Sequence, residues 1–117
     1  MSSIGVDIVQ IPRIEKIFKE YGIAFAKKIL GINELEKFFT LSHHHKSNFL
    51  AKRFAAKEAV SKALGEGIGK YSFKDIEILN LKNGKPVVKI KQNTSSNIDI
   101  SISDDYPTAI AFALNKG

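Results

Sequence analysis

With 117 residues, 44% of them hydrophobic and 26% charged, the chain has the size and composition of one globular domain, residues 1–117, with an apolar core of its own, and not those of a disordered protein. Zero cysteines exclude disulfides, thiol catalysis and thiolate metal sites, and no run approaches the roughly 20 apolar residues of a membrane-spanning helix. The formal charge of +6 is uneven, since residues 46–70 hold six Lys/Arg against two acids while both flanks hold six against five; an anionic partner such as a phosphate, a nucleic acid or an acidic protein is expected.

In chain order, MSSIGVDIVQ lacks the basic n-region and small-residue cleavage site of a signal peptide, so a cytoplasmic address is expected. Ile4, Val6 and Ile8 alternate with Gly5, Asp7 and Val9, the period-two pattern of a half-buried strand with Asp7 on the face opposite the isoleucines. Pro12 suits the first turn of a helix, and Ile14, Ile17, Phe18 and Tyr21 recur at helical spacing until Gly22, which leaves Arg13, Lys16 and Glu20 exposed. A second helix is expected within Ala24 to Leu30, and a third from Glu34 to about Leu41 with Asn33 as its cap. Ser42 to Lys46, SHHHK, reads as a loop, and three histidines adjacent in sequence do not converge on one ion as a helical i,i+4 pair does. The longest helix then runs from about Ser47 to Leu64.

The last third changes character. YSFKDIEIL is β-rich, Asn83-Gly84 is a hairpin turn, and Pro86 opens the returning strand PVVKIK. After Ser95-Ser96-Asn97, IDISIS alternates and TAIAFAL forms a last strand. The fold class is therefore α+β, helices from the first half packed on a mostly antiparallel sheet.

Chemistry concentrates in RFAAKEAVSKALGEGIG, Arg53 to Gly69. On a helical wheel Ala55, Ala56, Ala59, Val60 and Ala63 share one side, and Glu58 and Lys62 lie opposite with Phe54 and Ser61 beside them. A surface Glu-to-Lys pair at i,i+4 explains that spacing alone, but Phe54 on that side implies a cover. Asp7, a carboxylate within an apolar strand, needs a reason to sit near the core margin. Asp7 and Glu58 on separate elements make a sensible magnesium site, because Mg²⁺ takes one or two protein carboxylates and completes its octahedron with water and substrate phosphate. Lys62 is placed to neutralise charge on a transferring phosphate. Arg53 and Lys57, one turn apart, can hold further phosphates. Gly65, Gly67 and Gly69 end the helix and permit close backbone approach, matching neither a Walker loop nor a dinucleotide fingerprint.

In three blocks, IGVDIVQIPRIEK, RFAAKEAVSKALGEGIG and IDISISDDYPTAIAFAL, with NGKPVV as a weaker fourth, the chain resembles the holo-acyl carrier protein synthases, the short class of 4′-phosphopantetheinyl transferases. The blocks occur in the family's order over nearly the whole chain. The resemblance implies transfer of the phosphopantetheine arm of coenzyme A to a serine of apo-acyl carrier protein, leaving adenosine 3′,5′-bisphosphate, in support of fatty acid biosynthesis. It implies Mg²⁺ on Asp7 and Glu58, and Lys62 on the phosphates. Arg53, with Lys57, Gly65 and Pro86, is expected at coenzyme A, and Arg13 at the acidic carrier protein. A homotrimer with active sites between subunits is implied too, and would cover Phe54. One departure stands out: Asp104 and Asp105 follow Ser101-Ile102-Ser103 where the family usually has histidine, and an ionised aspartate only accepts hydrogen bonds. His43 to Lys46 are the candidates to replace that donor.

The basic segment and the glycine series also suit a nucleic-acid-binding module, the competing class. Against nucleic acid, Asp7 and Glu58 would repel a phosphate backbone, and Phe112 stands alone where an aromatic ladder would be needed.

Overall fold

The structure is a computed structural model that describes residues 2–65, 71–95 and 97–117. A strand, β1 (Ser3–Gln10), is followed by four helices, α1 (Ile11–Tyr21), α2 (Ile23–Ile29), α3 (Ile32–Phe38) and α4 (His43–Leu64). After a 3₁₀ turn at Phe73–Asp75 come β2 (Ile76–Asn80), β3 (Pro86–Ile90), β4 (Asn93–Ser95), β5 (Ile98–Asp105) and β6 (Thr108–Asn115). The expected α+β class is observed, with the strands divided into two antiparallel sheets of order β1-β6-β5 and β2-β3-β4. Pro12 lies in the first turn of α1 as expected. The Asn83-Gly84 turn closes the β2–β3 hairpin, with Gly84 at φ 89°. The short β4 went unread in the sequence; a turn through Lys91 and Gln92, both at positive φ, leads into it.

Helix α4 is the centre of the molecule, packed against β1, β5 and β6 and against α1, α2 and β2. Ala51, Ala55, Ala56, Ala59, Val60 and Ala63 are all fully buried, and small side chains let strands approach the helix backbone. At Gly5 the approach is closest, since a Cβ there would stand 2.0 Å from the carbonyl oxygen of Ala59. That contact decides how β1 is turned. The face bearing Gly5, Asp7 and Val9 lies on α4, whereas Ile4, Val6 and Ile8 are 62%, 49% and 61% exposed. The period-two pattern is observed, with Asp7 opposite the isoleucines as expected, and the isoleucine side is the outer face. Cross-strand register puts Val6 opposite Phe112 and Ile8 opposite Ile110, so the exposed apolar surface extends over β1 and β6.

Three expectations are corrected. Ser42 to Lys46 is not a loop, because His43 begins α4 and the backbone N–H groups of His45 and Lys46 donate to Ser42. Asn33 does not cap α3; Gly31 precedes the helix and its N–H donates to Glu34 at 3.0 Å, while Asn33 donates through backbone and side chain to Glu77. Tyr21, placed on the apolar stripe of α1 by its spacing, is exposed.

Candidate active site

The strand–helix contact at Gly5 brings Asp7 of β1 beside the last turns of α4. The Lys62 ammonium donates to the Val6 carbonyl oxygen at 2.9 Å and to Asp7 Oδ1 at 3.3 Å. Glu58 lies one turn back along the same helix, half-buried. Partial desolvation, and then the charge of Asp7, push the Glu58 carboxyl above the usual carboxylate range, against the opposing pull of Lys62. Asp7, Glu58 and Lys62, the three residues expected to act together, are thus electrostatically coupled. Among the described residues no group of three or more His, Asp or Glu side chains is arranged to hold a metal. Two carboxylates, both oxygen donors, with the charge of Asp7 felt at Glu58, fit a hard divalent cation that keeps water and takes substrate oxygens for its remaining positions.

Phe54, Glu58 and Lys62 form the i,i+4 stripe that stays accessible along this buried helix. The cover expected over Phe54 comes from this chain, since Phe73 stacks on it with ring centroids 5.2 Å apart. Ser61, expected on the accessible side, is buried.

Lys57 is the clear correction. It is fully buried, and its ammonium donates to Glu34 Oε1 at 2.5 Å, the Ile29 carbonyl at 2.6 Å and the Phe73 carbonyl at 2.8 Å. An ammonium has three donors, so none remains for a phosphate. Burial holds Lys57 below the ordinary lysine range even though Glu34 pulls the other way. Glu34 in turn accepts from the backbone of Ile78 at 2.9 Å. The sequence offered a signal for this: Glu34 stands three residues after Gly31, the spacing of a carboxylate that reaches back over a helix start.

Arg53 lies at a cavity wall. Its guanidinium is stacked 4.4 Å from the Phe49 ring, donates to Asn80 Oδ1 at 2.9 Å, and approaches Glu34 Oε2 to 3.7 Å through Nε. Buried Nε has no hydrogen-bond partner among the described residues. The cavity, of about 400 Å³, is bounded by Arg53, Lys37, His45, Lys52, Asn80 and Pro86 among others. Arg53 and Pro86, named separately from the sequence, therefore meet at one basic concavity; His45, Lys52 and Asn80 were not singled out for it individually. Asp104 pairs with Lys52 at 3.4 Å and accepts from Asn48 at 3.4 Å. Of the candidate replacement donors, His45 faces this cavity, while His43 stacks on Phe18 and Lys46 sits over Phe38. Gly65 is the left-handed residue that ends α4, at φ 79°; Gly67 and Gly69 lie outside the described residues. Arg13 is exposed on α1.

Comparison with known proteins adds independent findings. Residues 3–111 match the family model of the 4′-phosphopantetheinyl transferase superfamily. A holo-[acyl-carrier-protein] synthase of Orientia tsutsugamushi (strain Ikeda) is 49% identical, over 95% of this chain and 93% of that protein. The crystal structure of the holo-[acyl-carrier-protein] synthase from Neisseria meningitidis superposes with a TM-score of 0.86 at 39% identity, covering 98% of each chain. That of the Bacillus anthracis synthase, in complex with CoA (3′,5′-ADP), gives 0.82 at 41% identity, covering 96% of this chain and 93% of the other. The chain belongs to the 4′-phosphopantetheinyl transferase superfamily, in its holo-acyl carrier protein synthase branch, and is a phosphopantetheinyl transferase.

Proposed function

We propose that the chain catalyses Mg²⁺-dependent transfer of 4′-phosphopantetheine from coenzyme A to a serine of apo-acyl carrier protein, releasing adenosine 3′,5′-bisphosphate and serving fatty acid biosynthesis in the cytoplasm. The observation that carries this reading is the coupling of Asp7, Glu58 and Lys62 where β1 crosses α4. Asp7 and Glu58 would hold the Mg²⁺, which when bound supplies charge neutralisation at the pyrophosphate. Lys62, on a flexible and half-exposed side chain, turns its ammonium to the phosphate oxygens on which charge accumulates. The serine oxygen bonds to the phosphorus that carries pantetheine, the bond from that phosphorus to the bridging oxygen breaks, and the hydroxyl proton is released to solvent. Arg53 and Pro86 line the cavity assigned to the coenzyme, with His45 as a further donor there and Gly65 allowing backbone approach. The Bacillus anthracis structure, with its CoA (3′,5′-ADP), supports a coenzyme site of this kind.

Arg13, exposed on α1 with Lys16 and Lys19 nearby on that helix, suits an acidic carrier protein. The exposed apolar face formed by Ile4, Val6, Ile8, Ile110 and Phe112 supports assembly into a homotrimer, because an apolar patch of this kind on a folded domain marks an interaction surface. Active sites would then lie at the subunit boundaries.

Intact-mass analysis of a purified apo-acyl carrier protein, incubated with coenzyme A, Mg²⁺ and this protein, tests the reading. A gain of one phosphopantetheine, absent without Mg²⁺, is expected. No gain with several competent carriers would sink it. Light scattering of the same preparation, giving the mass of three chains or of one, tests the assembly separately.

A further inference from the structure

We infer that Lys62 couples divalent-cation binding to the pyrophosphate of the coenzyme, opposing the cation when it is alone. This rests on the transferase reading and concerns how its two ligands communicate. In the free protein the ammonium of Lys62 is the counter-ion of Asp7, 3.3 Å from Oδ1, and is steadied by the Val6 carbonyl at 2.9 Å. The contrast with Lys57, five residues earlier, shows what kind of contact this is. Lys57 is sealed among three acceptors, whereas the Lys62 side chain is 54% exposed and that of Asp7 is 18% exposed. A charge on a long, half-exposed stem moves readily; the carboxylate it pairs with does not.

Asp7, Glu58 and Lys62 together carry one net negative charge when ionised. A dication taking the Asp7 oxygen competes with the ammonium for the same acceptor and then faces it across one carboxylate. The ammonium must leave, and in the absence of a phosphate it exchanges its carboxylate partner for water. A pyrophosphate at the site reverses that balance, since its oxygens receive both the cation and the displaced ammonium. Cation and coenzyme therefore strengthen each other's binding, and the enhancement is reciprocal, as linkage requires. Lys62 contributes to the affinity of both ligands together while opposing the cation alone.

Calorimetric titration without carrier protein tests this, using Mg²⁺ with and without coenzyme A, and coenzyme A with and without Mg²⁺. The proteins compared are the wild type, Lys62→Met and Lys62→Arg. Because Lys62 is exposed, Lys62→Met should fold, which circular dichroism checks. It is expected to bind Mg²⁺ about two- to five-fold more tightly than wild type when no coenzyme is present, the scale of one exposed ion pair. The factor by which Mg²⁺ raises coenzyme A affinity should shrink correspondingly, and Lys62→Arg should behave as wild type in the coenzyme-free titration. Loss of the Mg²⁺ response in Asp7→Asn identifies the site being titrated. If Lys62→Met leaves the enhancement factor unchanged, or binds Mg²⁺ more weakly, the inference is overturned. Wild-type transfer in the mass assay under that outcome leaves the transferase reading standing, whereas no wild-type transfer removes the reading beneath it.

Discussion

Two clusters of acids and lysine share helix α4, and they are built from the same residue types to opposite ends. Around Lys57, the carboxylate of Glu34 and two backbone carbonyls take up the whole ammonium, and the group is fully buried. Nearby Glu77, also buried, is taken up by Asn33 and the backbone of Glu34. Around Lys62, two carboxylates face one exposed ammonium, and Glu58 is pushed toward protonation by burial and by its neighbour Asp7. A saturated network ties α2, α3 and the 3₁₀ turn to the central helix, and has no valence left for a ligand. An unsaturated one is held short of its electrostatic optimum by the fold, and a ligand can complete it. Charge and spacing look alike in both; the difference is how many partners the surrounding backbone supplies.

The comparison can be broken at four points. Lys57→Met should cost the most, since it removes the nearer of the two cations beside buried Glu34 and leaves Arg53 at 3.7 Å: a stability loss of about 3–5 kcal/mol in urea unfolding, with the Mg²⁺ dependence of transfer unchanged in the protein that folds. Full stability in that variant, with weakened coenzyme A binding, would return Lys57 to the site. Asp7→Asn should do the reverse, lowering the transfer rate by on the order of 10²-fold or more while the unfolding midpoint shifts little. Gly5→Ala should affect stability and the Lys62 cluster together, because a Cβ there would meet the Ala59 carbonyl at 2.0 Å and must push β1 off α4. A destabilisation of about 1–3 kcal/mol is expected, together with a higher Mg²⁺ requirement as Asp7 moves from Glu58, and a variant needing no more Mg²⁺ than wild type would remove the positioning role.

The smallest effect concerns pH. The folded-state pKa of Glu58 is raised, so the unfolded chain ionises this carboxyl at lower pH than the folded protein does. Its ionisation therefore disfavours folding above the folded-state pKa, and the penalty is absent below the unfolded-state value. Glu58→Gln should raise the melting temperature slightly at pH 7, and the gain should vanish in acid, where both side chains are neutral. A gain that persists unchanged at low pH would show that packing, not charge, is responsible.

Much of the candidate cluster was legible in the sequence. A glutamate and a lysine four apart on an alanine-rich helix must lie on one side of it, and the local rule that says so does not depend on the rest of the molecule. Helix ends at Gly22 and Gly65 and the hairpin at Asn83-Gly84 were readable for the same reason. The face of β1 was not. Period-two alternation names two faces without saying which is inside. What turned the strand was the absence of a side chain at Gly5 opposite Ala59, a contact between residues far apart in the chain. The histidine run was misread in a related way: nothing in SHHHK favours helix strongly, and its conformation follows from Ser42 accepting the first backbone bonds of a helix whose remainder is locked in the core.

The sequence by itself determined most of the element types, the α+β class, the family resemblance and the pairing of Asp7 with Glu58 and Lys62 as candidates, because periodicity, turn chemistry and motif spacing are properties of neighbouring residues. Only the tertiary structure decided which charges are free to act. Lys57 and Lys62 are indistinguishable as letters on one helix. Whether a lysine is a buried strut or a mobile counter-ion depends on acceptors brought to it from residues 29, 34 and 73 in one case and from residues 6 and 7 in the other, and those distances exist only once the chain has folded.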